Sequence, residues 1–162
     1  MVRYRLWQLW RALTGRIQPS ERVFVQALLT PVEQRLFAQL PYYDQRHALD
    51  IVAVLRTQSP PVHDDMYVLA LLHDIGKVSD DGRPLGLLWY GVAVICRRVP
   101  PLYQWLTNWL EPMRRHAHHE QRSVTIAQHA GVRPTVCVLL TALAESADTP
   151  DIRLFQWADD QC

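Results

Sequence analysis

Apolar residues recur along this chain at helical spacing, and the prolines fall mainly in the joints between the segments so marked. Residues 3 to 14 place Leu6, Trp7, Leu9, Trp10 and Leu13 mostly on one side, opposite Arg5, Gln8 and Arg11. Such a face docks on a core or on a partner. Ser20 is expected to cap the next segment. Thr30, Pro31 and Glu33 then supply the N-cap, the first-turn proline and the reciprocal partner of a capping box. From Asp44 to Thr57, Ala48, Ile51, Val52 and Leu55 form an apolar stripe whose face also carries His47. Ser59, Pro60 and Pro61 end that helix. Asp64 or Asp65 starts another, which runs through Met66, Leu69, Ala70, Leu71 and Leu72 until Gly76 lets the chain turn. Further helices are predicted near 85–98, 101–111, 118–130, 134–146 and 151–161, with Gly131 and Pro134 punctuating one joint. No segment sustains strand alternation, so the pattern predicts an all-α fold.

Composition narrows this picture. The 162 residues suit one domain, and 49% hydrophobic with 20% charged residues is the balance of a globular protein. A formal net charge of +1 gives no overall field toward nucleic acid or anionic lipid, so neither a nucleic acid polymer nor a membrane is an expected partner. The start lacks the continuous apolar run of a signal peptide, and the longest apolar stretch, Leu85 to Cys96, is too short to cross a bilayer. Cys96, Cys137 and Cys162 are odd in number and form no CxxC pair, which fits a reducing compartment, and a cytoplasmic location is expected.

Candidate chemistry centres on Ala70-Leu71-Leu72-His73-Asp74-Ile75-Gly76-Lys77, an apolar helix that delivers an imidazole and a carboxylate together at its end. This mixed nitrogen and oxygen pair suits a divalent Mn, Fe, Co, Ni, Zn or Mg ion more than copper(I). His47, 26 residues upstream of His73, offers a second imidazole, and a late Asp offers a second carboxylate. The late ligand is Asp159 or Asp148. Asp159 is favoured, because Asp148-Thr149-Pro150-Asp151 reads as a helix stop and restart. His47, His73, Asp74 and one late Asp leave positions open for water and substrate.

The order His, then His-Asp, then Asp on a helical frame resembles the HD superfamily of metal-dependent phosphohydrolases, with the HDIGK run as its most specific element. The likeness covers roughly residues 40 to 161. It implies an HD-domain helical bundle over 41–162, with residues 1–40 as a helical collar packed on the same domain. It also implies hydrolysis of a phosphate ester in a phosphate-containing small molecule such as a nucleotide or cyclic nucleotide. The alternative is a non-catalytic metal-binding module of the same family that binds a protein partner through aromatic surface such as Trp7, Trp10, Trp105 and Trp109.

The sequence contains its own control, because His63-Asp64 is also an HD dipeptide, yet it follows Pro60-Pro61 with no apolar helix leading into it. It reads as a loop histidine beside a helix cap. Lys77 is the only lysine among 17 basic residues. A compact ammonium can sit on a phosphate oxygen or hold the Asp74 carboxylate, whereas an ordinary helix C-terminal cation is the plainer reading. His119, twelve residues before Gly131, matches a position the family uses for phosphate contact or a second metal; a solvated helix start is the alternative. Two-metal members carry a further histidine on the following helix. None lies between Val132 and Asp148, which favours one metal per chain. The catalytic set implied by the resemblance is therefore Asp74, Lys77 and His119. His129 is expected to be structural or superficial, and Asp160 solvated.

Overall fold

The computed structural model describes residues 15–162, which form ten α-helices and one 3-10 turn, with no strand among the described residues. The predicted amphipathic segment 3–14 lies outside the described residues. The helices are α1 (Pro19–Leu28), α2 (Pro31–Gln39), α3 (Tyr42–Leu55), α4 (Asp64–Leu72), α5 (Leu87–Cys96), α6 (Pro100–Trp109), α7 (Glu111–Ala117), α8 (His119–Ala130), α9 (Pro134–Ala144) and α10 (Pro150–Asp160). No helix among them is long and apolar enough to cross a membrane.

Every residue of α4 from Met66 to Leu72 is buried, which is why this segment lacks a polar face. Helices α2, α3, α9 and α10 pack around it. One continuous core results, running from Val25 and Leu36 through Ile51, Leu69 and Leu140 to Phe155. Helices α1 and α2 contribute to this same core.

The Thr30 capping box forms as its spacing predicts: the Thr30 hydroxyl accepts from the Glu33 N–H, and the Glu33 carboxylate accepts from the Thr30 N–H at 2.8 Å. Glu33 is fully buried and also receives both Nε and Nη2 of Arg133, which tie α2 to the start of α9. Ser20 does not cap α1. Pro19 already opens that helix, and Gln18 takes the cap position with Glu21 as its reciprocal partner. Between the predicted helices 101–111 and 118–130 the chain inserts α7, which starts on Glu111 and Pro112. Gly131 ends α8 in the left-handed region, φ 81°.

Candidate metal centre

Helix α4 ends on His73, and the chain passes through Asp74 into the 3-10 turn Ile75–Lys77, which lies against α8. Gly76 permits that approach. A Cβ at this position would stand 2.0 Å from the His119 carbonyl oxygen, so only glycine lets the turn touch the start of α8. Ser123 clamps the contact, donating to the His73 carbonyl at 2.6 Å and accepting the Gly76 N–H at 2.9 Å.

His73 donates Nδ1–H to the Ala70 carbonyl at 2.9 Å, which fixes the tautomer and leaves Nε2 as a free lone pair. That Nε2 lies 3.4 Å from Asp74 Oδ2. From α3, His47 comes edge-on to His73, ring centroids 5.7 Å apart. One ligand atom from each of His47, His73 and Asp74 lies within 4.8 Å of the other two. From α10, Asp159 Oδ1 reaches His47 Nε2 at 2.9 Å. This contact raises His47 against the effect of burial and lowers Asp159, which burial alone would raise.

Lys77 does not stand on the surface answering a helix dipole. Its ammonium is largely buried, 2.6 Å from Asp74 Oδ2 and 4.9 Å from the centre of the Tyr90 ring. His119 donates Nδ1–H to the His116 carbonyl at 2.8 Å and turns Nε2 toward Asp74 Oδ1 at 3.4 Å. Burial and the Lys77 charge push His119 down to about 4, so its ring is neutral near pH 7. Burial acts to raise Asp74, but His73, Lys77, His119 and His47 outweigh it and hold the carboxyl well below the usual range.

These contacts leave one group unanswered. Asp74 is 1% exposed, and its Oδ1 has no hydrogen-bond donor. The His119 ring spends its one proton on the His116 carbonyl, so the nitrogen it turns to Asp74 is a lone pair and not a donor. Acceptors that converge on a buried carboxylate call for a cation among them. His47, His73 and Asp74 form a nitrogen and oxygen set that could hold a divalent ion, and Asp159 meets this group through His47.

All six candidate residues, His47, His73, Asp74, Lys77, His119 and Asp159, thus meet in one place. The control dipeptide does not join them, since His63 is exposed and faces Asp151 at 3.4 Å. Asp148 pairs with Arg153 on the surface, and His129 is exposed on α8. Three further titratable residues, Asp44, His116 and Glu120, border the site. Asp44 is buried beside Lys77 and Asp74, accepts the Tyr90 hydroxyl at 2.8 and 2.9 Å, and is pushed up to about 6, chiefly by burial. His116, pushed down to about 4 by burial, has a buried Nδ1 without partner. Glu120 is raised by burial and by Asp74 and Asp159. Asp44 lies three residues before His47, which puts a carboxylate on the same helix face.

A cavity of about 500 Å³ lies near the turn, walled in part by Arg83, Trp89, Arg115 and Arg122. None of the six site residues lines it. Comparison of the chain with protein-family models, with curated proteins and with solved structures finds no match in any of the three.

Proposed function

We propose that this chain is a metal-dependent phosphohydrolase of the HD type, holding one divalent ion on His47, His73, Asp74 and Asp159 and cleaving a small phosphate ester. The observation that carries the reading is Asp74, a buried carboxylate with one oxygen on Lys77 and the other without a donor, faced by the His119 lone pair. A carboxylate kept only for structure would spend both oxygens on donors.

When bound, the ion supplies Lewis acidity and a water of lowered pKa. The chain's own residues divide the remaining work. Lys77, held by Asp74 and covered by Tyr90, presents a compact positive charge to a phosphoryl oxygen. His119 has its proton on Nδ1, so its Nε2 accepts. This tautomer gives His119 the part of a proton acceptor for the attacking water, instead of the charge-steadying donor that the resemblance implies. Asp44 holds the Tyr90 hydroxyl and so fixes the ring over Lys77.

The test is turnover of nitrophenyl phosphate mono- and diesters with added Mn or Co. Activity that disappears on chelation and in Asp74→Asn supports the proposal. Stoichiometric metal with no turnover on either ester would replace it by the non-catalytic metal-binding module.

A further inference from the structure

Helices α5 and α6 differ from the rest of the fold in both composition and exposure. Between Arg83 and Glu111 the only charged residues are Arg97 and Arg98, and there is no carboxylate. Helix α5 turns Ala93 and Cys96 inward and leaves Leu88 and Ile95 outside, while α6 has no buried residue at all. On α6, Leu102, Trp105 and Trp109 follow one another at spacings of three and four, which sets them on one side. Their exposures are 43%, 56% and 74%. Of the eleven exposed large hydrophobic residues among those described, seven fall within 88–109, so they concentrate on this pair of helices instead of scattering over the fold.

We propose that this arm seats the protein on the surface of an anionic lipid bilayer, an inference independent of the reading of the metal centre. Charge complementarity selects the occupant. Arg97 and Arg98 are both exposed at the joint between the helices, and Arg97 is steadied over the Tyr103 ring, 5.8 Å from its centre. The patch therefore offers apolar side chains, indole rings and cations with no acid, the combination that lies in a headgroup boundary. A second copy of the chain is a poorer occupant. Two such arms face to face would gather four arginines with no carboxylate from either arm between them. Each helix has ten residues, about 15 Å, so the arm lies along the interface and does not cross it. The expectation of no membrane partner rested on net charge and the lack of a span, and a surface mode of binding needs neither.

The experiment is co-sedimentation of the full chain with phosphatidylcholine vesicles, with and without phosphatidylserine. The expected result is pelleting with the mixed vesicles, weakened by salt, and little with phosphatidylcholine alone. Trp105→Ser with Trp109→Ser, and separately Arg97→Glu with Arg98→Glu, should each lower the bound fraction by roughly tenfold or more while leaving thermal unfolding unchanged. Quenching of tryptophan fluorescence by bromine-labelled acyl chains, lost in the double Trp variant, gives a second readout. Wild type that stays in the supernatant overturns the proposal. So do both double variants pelleting like wild type, or Trp-dependent self-association in the absence of lipid.

Discussion

Asp74 Oδ1 and His119 Nε2 stand 3.4 Å apart with no proton to share, because His119 has placed its own on the His116 carbonyl. Two acceptors at that distance in a buried setting repel unless a cation lies with them. Much of what the centre does under perturbation follows from this contact and its neighbours.

Purified protein should hold about one divalent ion per chain, coordinated by the mixed nitrogen and oxygen set. His73→Ala or Asp74→Ala should reduce bound metal toward zero, as read by elemental analysis after desalting. His63→Ala should retain it, since His63 is exposed and distant from the cluster. Equal loss in all three variants would contradict the assignment.

Lys77→Arg keeps the charge and tests its shape. The ammonium is largely buried, on Asp74 and beside the Tyr90 ring, and a wide planar guanidinium meets those two groups with a different geometry. Turnover should fall by roughly ten- to a thousandfold with metal content preserved. Unchanged turnover would remove Lys77 from the mechanism.

Gly76→Ala should be costly out of proportion to its size. The added carbon would stand 2.0 Å from the His119 carbonyl oxygen and 2.7 Å from the Ser123 nitrogen, both backbone atoms. Overpacking of this kind typically costs about 1–3 kcal/mol, and rigid backbone on both sides places this site at the upper end. Urea unfolding measures the loss. Metal affinity should fall with it, because the turn and α8 carry Asp74 and His119.

The Glu33–Arg133 pair governs acid stability away from the centre. Burial acts to raise Glu33, but the Arg133 side chain and the Thr30 and Arg133 N–H groups lower it below its free value of 4.5. The native state therefore binds this proton less readily than the unfolded chain does. Its contribution is complete above about pH 4.5 and is lost as pH falls through the depressed value. Arg133→Met should cost about 2 kcal/mol at neutral pH by leaving a buried charge unpaired. In urea titrations the gap from wild type should narrow as pH drops below that window. A gap independent of pH would show that packing, not charge, is what Arg133 contributes.

How much of this was legible in the sequence depends on how local each cause is. The Thr30–Glu33 box and the long apolar run into His73 are set by neighbours a few positions apart, and both were readable. The preference for Asp159 over Asp148 came from local capping chemistry, and Asp159 is the one that lies against His47. Helix α7 was not separated, since Pro112 and its short length blur into the neighbouring helices. Asp44 went unassigned because its partner Tyr90 is 46 positions away, across a joint whose path no periodicity encodes. The tautomer of His119 was also not read, although the carbonyl that decides it, His116, is only three residues upstream, because the contact depends on how the chain turns between two helices at His118.

Tyr90 and Leu88 share one helix and look in opposite directions, one toward Asp44 and the other toward solvent. A ten-residue helix is a stiff rod, so its two sides cannot move independently. Pressure on the outer row is felt as displacement of a phenol that hangs over the only lysine in the chain. In mechanical terms α5 is a lever, with its handle in solvent and its short end resting on the charged interior.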